Sequence, residues 1–525
     1  MDQSETIAFL IATLQREIGE KIDRIDTHVS LVFLCGDLVF KLKRAVAFPY
    51  LDFSKPEKRE TACRAEVALN SRTAPGLYLG VRRITREANG LAFDGPGELV
   101  DCIVVMRRFD EASLFDAMAR ENRLTAEHIE ALASAVANFH AMAERFPKAE
   151  GAAAMAHLLD LNEISFADSP LFAKADVERL NKAFRDSLAA HAELLDARAA
   201  AGFVRLCHGD LYLRNICLFQ GRPTPFDCIE FDLNLARIDV LYDIAFTLMD
   251  LWLLGRRDFA NLLFNRYISA LVRTLPTMPA NLRDGYALLP FFMALRAAIR
   301  AHIAASQARS GHGEAQHVHE AEARAYFALA IDLLKPRPIL LAAIGGLSGS
   351  GKSTLAAAVA AEIGPPPGAR TLNSDRTRKA MHQLRPNERL PPEAYSLNIT
   401  VAVYLRLLSR AMDALAQGRA VIVDAVYSTE DERAAVAKLA REKHVPFVGI
   451  WLEAAPEVLR QRVRDRPKGV SDATQSVLEA QLSRDNGKID WVRLNSASPD
   501  VAAKTLEIFR GALACPQKPL ESLVK

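Results

Sequence analysis

The spacing of apolar positions divides the chain into stretches of different period. Over residues 5–19 apolar side chains recur every three or four positions, which predicts an amphipathic helix. Residues 29–34 and 38–43 read as two strands meeting at Cys35-Gly36-Asp37. On the second strand Leu38, Phe40 and Leu42 share one face, while Val39, Lys41 and Lys43 share the other. A helix is predicted from Lys55-Pro56 through Asn70, with Glu66 on a partly apolar side. Further strands lie around residues 77–84 and 92–93 and over 100–106, separated by Ala74-Pro75-Gly76 and Gly95-Pro96-Gly97. From about residue 113 to 200 the period becomes 3.6, most clearly over 129–143. A small strand-rich lobe is thus followed by a large helical one, with residues 99–109 as the hinge.

Two short strand-like runs, over 204–219 and 225–231, interrupt the helical stretch. Lys335-Pro336-Arg337-Pro338 then forms a stiff linker, because neither proline continues a helix. Beyond it, apolar runs of strand length at 339–344, 420–424 and 447–452 alternate with helical runs at 353–362, 396–417 and 456–464. That alternation predicts an α/β domain with a parallel sheet. The boundaries are drawn at residues 1–334 and 338–525.

Composition narrows the classes. The 525 residues exceed what a single core takes, and with 50% hydrophobic and 25% charged residues both parts can bury one. A net charge of +2 offers no broad basic field, so neither nucleic acid nor a membrane surface is implied as a partner. Cys35, Cys63, Cys102, Cys207, Cys217, Cys228 and Cys515 are scattered without a C-x-x-C pair and are expected to be buried, reduced thiols. The first residues lack the basic-then-apolar pattern of a signal peptide, and no uninterrupted apolar run reaches membrane-spanning length. Cytoplasm is the expected location.

Candidate chemistry falls in two places. Gly346-Leu-Ser348-Gly349-Ser350-Gly351-Lys352-Ser353 fits G-x-x-x-x-G-K-[ST] between a predicted strand and a predicted helix. Its glycines let backbone N–H groups curl around a phosphate, Lys352 supplies charge, Ser353 offers a Mg²⁺ ligand, and Thr354 follows in the helix. Asp424 ends the next long apolar strand and is the expected second carboxylate for Mg²⁺. Asp375, at the end of a short strand beside the loop with Arg378 nearby, either handles an acceptor hydroxyl or caps the helix starting at Arg376. Arg462 and Arg466 either close on a transferring phosphate as a lid or simply end a helix with charge.

The other place is His208-Gly-Asp210-Leu-Tyr212-Leu-Arg-Asn215, followed on the next hairpin by Asp227. An Asp with an Asn five residues on sets a carboxylate near an acceptor hydroxyl and an amide oxygen near a metal, and Asp227 adds a second carboxylate. This loop resembles the H-G-D-L-x-x-x-N catalytic loop of the aminoglycoside phosphotransferase and choline-kinase-like group, over roughly residues 25–335. The resemblance implies Asp210 as catalytic base, Asn215 and Asp227 as Mg²⁺ ligands, Lys41 (or Lys43 on the same face) as the nucleotide lysine, Glu66 as its ion-pair partner, and the Met106 region as the adenine-binding hinge. Asp243 looks like the structural aspartate of that group. No glycine-rich loop precedes the lysine; Thr27-His28-Val29-Ser30 stands there instead. Arg296 and Arg300, one helical turn apart, either meet an anionic acceptor or belong to an ordinary helix face.

Residues 338–515 resemble small-molecule and polynucleotide-kinase-like P-loop kinases, and the order of the two halves is similar to a bacterial fusion of an aminoglycoside-phosphotransferase-like domain with an AAA-type P-loop ATP-binding domain. The expected fold is therefore α+β protein-kinase-like, followed by an α/β P-loop NTPase domain. The expected activity is transfer of the γ-phosphate of ATP, with Mg²⁺, to a hydroxyl of a small molecule by two kinase modules. The alternative is a regulatory protein in which one module senses nucleotide and controls the other or a partner.

Overall fold

The alternation over residues 30–43 produces a hairpin whose two faces feed two different cores. The computed structural model describes residues 2–18, 22–48, 51–385, 388–465 and 471–514. Strands Ser30–Cys35 and Leu38–Lys43 lie in a six-stranded antiparallel sheet, in the order Asp23–Asp26, Ser30–Cys35, Leu38–Lys43, Glu98–Arg107, Tyr78–Glu87, Gly90–Phe93. Phe40 and Leu42 pack with Leu10 and Leu14 of helix Ser4–Ile18 on one face. Val39 packs with Met106, Val104 and Cys63 of helix Pro56–Asn70 on the other. Strand Asp23–Asp26 escapes the sequence pattern because all four of its residues are exposed, so it has no apolar alternation to read.

Contacts divide the chain into two compact units, residues 1–151 with 196–254 and residues 152–195 with 255–525. The first holds the six-stranded sheet, helix Ala126–Met142, the hairpin Ile216–Phe219 with Arg222–Pro225, and the buried helix Val240–Leu253. The second holds a five-stranded parallel sheet in the order Arg370–Asn373, Val421–Asp424, Leu341–Gly345, Phe447–Glu453, Val492–Asn495. Its central strand, Leu341–Gly345, is buried throughout, which is why it reads as a continuous apolar run. Helices Lys352–Ala360 and Val501–Ala514 pack Leu355, Val359, Ile508 and Phe509 against one face of it.

The proline linker does not mark the limit of the second unit. Helix Arg257–Thr274 lies along the edge strand Arg370–Asn373 and takes up hydrogen bonds that another strand would make. Asn265 Oδ1 accepts from the Thr371 N–H at 2.8 Å, and the Asn261 and Asn265 amides donate to the Ala369 carbonyl at 2.9 and 3.1 Å. An exposed sheet edge is thereby covered. Arg419, 1% exposed, adds bonds to the carbonyls of Tyr286 at 2.6 Å and Gly368 at 3.2 Å.

One helical stretch, residues 280–310, is long and apolar enough to cross a membrane by length and composition, yet 67% of its most apolar window is buried within the protein. Arg283, Asp284, Arg296 and Arg300 interrupt it, so it was not an uninterrupted apolar run in sequence. Arg296 is 6% exposed, and Arg300 pairs with Glu322 at 3.2 Å under the ring of Tyr326. Arg300 is thus held within the helical packing. The six described cysteines are free and buried.

Candidate active sites

In the first unit the two lysines share one face of their strand, and their partners and burial decide which of them meets the cleft. Lys41 Nζ lies 2.9 Å from Glu66 Oε1 and 2.6 Å from Asp227 Oδ1. Lys43 lies 2.7 Å from Glu66 Oε2 and 2.5 Å from Glu230 Oε1, and it is 1% exposed. Glu66 therefore bridges both lysines. Only Lys41 lines the adjoining cavity of about 630 Å³, together with Asp227, Met106, Tyr78, Phe109 and the residues of the Thr27–Ser30 turn. That turn is closed by mutual bonds, with Ser30 N donating to Thr27 Oγ1 and Thr27 Oγ1 to the Ser30 carbonyl, both at 2.9 Å.

Burial alone would depress the Lys41 ammonium, but Asp227 and Glu66 outweigh it and raise its pKa well above the ordinary value. Burial would likewise raise Glu66, and the two lysines reverse that and hold its carboxyl low. For Glu230 burial wins over Lys43, and its pKa is raised. Glu230 had no signal of its own in sequence, since a lone Glu after an apolar strand reads as surface.

The catalytic-loop residues are brought together by one helix. Asn215 Nδ2 donates to Asp210 Oδ2 at 2.9 Å and to the Asp210 carbonyl at 3.0 Å, leaving the Asn215 oxygen for another partner. Asp227 sits at φ 63°, a conformation uncommon for a non-glycine residue, and its N–H donates to Tyr78 Oη at 3.2 Å. Gly209 has φ +86°, and a Cβ there would lie 2.9 Å from Ile229.

From helix Val240–Leu253, Asp243 accepts from the His208 and Gly209 N–H groups at 3.0 and 2.9 Å and contacts His140 Nε2 at 3.0 Å. Thr247 donates to the Leu211 carbonyl at 2.6 Å, and Asp250 accepts from Leu213 N at 3.0 Å. These three residues, spaced i, i+4, i+7 on an otherwise apolar helix, clamp the loop backbone. Thr247 and Asp250 were missed, although polar residues at helical spacing inside an apolar run are a readable sign of a buried polar stripe.

His208 is fully buried, its Nε2 is 3.0 Å from the Phe226 carbonyl, and burial pushes its pKa down to about 4. A folded value below the unfolded one means that the unfolded chain binds more protons, so stability is lost as pH falls from about 6.5 toward 4. His208→Gln, which keeps a donor for Phe226, is expected to remove about 2 kcal/mol of the stability difference between pH 7 and pH 5. Urea unfolding at the two pH values measures this; equal pH dependence in variant and wild type would contradict it.

In the second unit the loop after strand Leu341–Gly345 has left-handed or extended glycines at Gly346 (φ +134°), Gly349 (φ +84°) and Gly351 (φ +87°). A Cβ at Gly346 would lie 2.5 Å from the Leu452 carbonyl, so only glycine fits where the loop leaves the sheet. Ser353 Oγ donates to Asp424 Oδ2 at 2.5 Å, and Asn373 Nδ2 donates to the same oxygen at 2.8 Å. Burial raises the Asp424 pKa, against the opposing pull of Lys352, Ser353 and Asn373. Lys352 Nζ donates to the Leu347 carbonyl at 2.9 Å. The Ser350 hydroxyl is buried without a hydrogen-bond partner.

Two cavities flank the loop. One, about 440 Å³, is lined by Ser348, Lys352, Ser353, Asp375, Arg378 and Asp424. The other, about 470 Å³, is lined by Gly349, Ser350, Gly351, Thr354 and Arg462. Arg462 donates to Ser496 Oγ at 2.9 Å and to the Ser496 carbonyl at 3.2 Å, so it stands on the side of the loop away from Asp375. Arg466 lies outside the described residues. The capping alternative for Asp375 falls, because Asn373 Oδ1 caps helix Ser374–Met381 through the Arg376 N–H at 2.8 Å. Arg378 is anchored on the Ala394 carbonyl at 2.7 Å and over the ring of Tyr395. Asn373 and the buried pair Lys379–Asp472, at 3.0 Å, were missed. The register Asn373↔Asp424 is what places Asn373 on the carboxylate.

The arrangement defines a class. Residues 61–280 match the model of the phosphotransferase enzyme family, and residues 341–485 match that of an AAA domain. The chain is a phosphotransferase enzyme with a kinase-like region followed by a P-loop region. It belongs to the same family as uncharacterized proteins of Mycobacterium tuberculosis strain H37Rv and Mycobacterium bovis, each 31% identical over 491 residues that cover 91% of this chain and 93% of theirs. Solved structures similar to parts of it include a choline/ethanolamine kinase family protein from Mesorhizobium loti, 14% identical over 63% of this chain and 95% of that one, with a TM-score of 0.38. A gluconokinase from Sinorhizobium meliloti is 23% identical over 34% of this chain and 92% of that one, with a TM-score of 0.22.

Proposed function

We propose that both regions are ATP- and Mg²⁺-dependent kinase modules that transfer phosphate to hydroxyl groups of small molecules. The observation that carries the reading is that each region sets polar and charged groups at a cavity: in the first, Lys41 and Asp227 line it, with Glu66 bonded to Lys41 and the bonded pair Asp210–Asn215 on the catalytic-type loop, and in the second Lys352, Ser353, Asp375 and Asp424 line it. The donor sets suit the ligands. A carboxylate with an amide oxygen, and a carboxylate with a hydroxyl, are oxygen donors of the kind Mg²⁺ takes, and the buried, unpartnered Ser350 hydroxyl fits a loop built around a phosphate.

ATP with Mg²⁺ supplies the phosphoryl group and the charge that polarises it when bound. In the first module Asp227 and Asn215 would hold the metal and Lys41 would hold phosphate oxygens, with Glu66 keeping that ammonium in place. Asp210 orients the acceptor hydroxyl and takes its proton as the acceptor oxygen bonds to the γ-phosphorus and the bond to the bridging oxygen breaks, releasing ADP. Met106 and the backbone around it form the wall on which the base rests. In the second module the loop N–H groups and Lys352 would hold the phosphates, Ser353 and Asp424 would hold the metal, and Asp375 would receive the acceptor proton.

The test is ATP consumption against sugars, amino alcohols, aminoglycosides and nucleosides, with wild type, Asp210→Asn and Lys352→Ala. An acceptor-stimulated signal that disappears in one variant only assigns that acceptor to that module. Tight ATP binding without stimulation by any acceptor would favour a nucleotide-controlled switch instead.

A further inference from the structure

The second unit contains a third cavity, of about 190 Å³, between helix Arg257–Thr274 and the edge strand Arg370–Asn373. It shares the metal-side residues Ser353 and Asp424 with the P-loop site, but its other walls come from Arg370, Arg410, Arg266 and Arg273. No nucleotide motif includes those arginines.

Arg370 is 1% exposed and makes three bonds, all to neutral acceptors: the Asn265 carbonyl at 3.0 Å, Asn265 Oδ1 at 2.7 Å and Ser269 Oγ at 3.0 Å. Its Nε is buried without a hydrogen-bond partner. Arg410, on helix Leu397–Ala416, has neither a hydrogen bond nor an ion pair among the described residues. Burial pushes its pKa down to about 10, and the neighbouring Arg370 adds to that. Of the acidic groups nearby, Asp424 in the cavity wall accepts from Ser353 and Asn373, while Asp284 and Asp413 favour the Arg410 charge from a distance without forming an ion pair with it. Asp284 pairs with Arg283 at 2.8 Å, and Asp258, at the rim, is 61% exposed beside Arg256. Two neighbouring guanidinium groups are thus held in a low-dielectric wall with no carboxylate bonded to either among the described residues. Such an arrangement costs free energy unless a counter-anion completes it.

We propose that this cleft binds a phosphate oxyanion, as inorganic phosphate or as the phosphate of a small ester, clasped by Arg370 and Arg410. Paired planar guanidinium forks match the oxygens of a phosphate, and a cavity of this size holds such a group and little more. The anion would sit behind the metal ligands Ser353 and Asp424, separate from the glycine loop and from the cavity of Asp375.

The full-length protein is saturated with a non-hydrolysable ATP analogue and Mg²⁺, which fills the nucleotide sites, and is then titrated with radiolabelled orthophosphate and, separately, with glycerol 3-phosphate. One saturable site per chain is expected, weakened at least tenfold in Arg410→Gln and retained in Lys352→Ala. Arg410 makes no bond, so Arg410→Gln is expected to keep the wild-type unfolding midpoint; Arg370→Gln, which also loosens the helix contact, serves as the second variant. Tighter binding of the ester than of orthophosphate identifies an ester site, and the reverse identifies a free-phosphate site. Absence of saturable binding by both probes, equal affinity in Arg410→Gln and wild type, or loss of the site in Lys352→Ala would each overturn the proposal.

Discussion

Asp210→Asn is expected to lower acceptor-dependent phosphoryl transfer by the first module by about 10²–10⁴-fold, the range that a positioned general base supplies. The substitution is isosteric, and Asn215 Nδ2 retains the Asp210 carbonyl as a partner at 3.0 Å, so the loop keeps its shape. Asp243, Thr247 and Asp250 hold the backbone on either side independently of the 210 side chain. KM for ATP should change little, because Lys41, Met106 and Asp227 line the cavity proposed for the nucleotide and Asp210 does not. Phosphoryl transfer proceeds through a loose transition state in which the acceptor proton leaves late, which places the effect toward the lower end of the range. Single-turnover kinetics with the acceptor identified by the panel measure it. A fall of less than tenfold in kcat would remove Asp210 from the role of base.

Glu66→Gln is expected to destabilise the first unit by about 3 kcal/mol and to weaken its use of ATP. Glu66 is fully buried and, among the described residues, forms ion pairs with both Lys41 and Lys43, at 2.9 and 2.7 Å. An amide offers one acceptor oxygen and turns an NH₂ group toward the other ammonium, so one buried cation loses a partner and meets a donor. Asp227 and Glu230 still touch the two lysines, which keeps the loss below that of an isolated buried pair. The pH dependence follows from the sign of the shift. The Glu66 carboxyl is held below its ordinary value, so its contribution is present above about pH 4.3, the unfolded value, and disappears as pH falls toward the folded one. Urea unfolding of wild type and Glu66→Gln at pH 7 and at pH 3 should therefore differ most at pH 7. Equal stabilities at pH 7 would show that the bridge adds nothing net.

Both candidate centres could be proposed from the sequence because their residues lie close together in it. Asp210 and Asn215 are five residues apart, and Gly346 to Ser353 is one continuous loop, so the motif spacing is itself the geometry. The parallel sheet was legible for a similar reason, since strands buried on both faces leave uninterrupted apolar runs such as Leu341–Gly345. Less visible were residues whose meaning depends on a distant partner. Glu230 became part of the lysine network only when Lys43 arrived from a strand 187 positions earlier. Asn373 became a neighbour of Ser353 and Asp424 through strand register, and Asn261 and Asn265 became edge-capping groups through a helix that precedes the linker.

From the sequence by itself came the two classes of fold, the order of the two regions, the phosphate loop, the Asp-Asn pair and the face of the strand that carries the lysines. Period and motif determine these, because each depends on residues close enough in the chain for the backbone to set their relation. Tertiary structure alone decided that Lys41 rather than Lys43 faces the cavity, that Asn373 rather than Asp375 caps its helix, that Arg462 stands across the loop from Asp375, and that residues 255–334 belong with the P-loop sheet. Each of these turns on a contact between segments far apart in sequence, where burial and partner geometry, not spacing, select one arrangement from several that the local pattern permits.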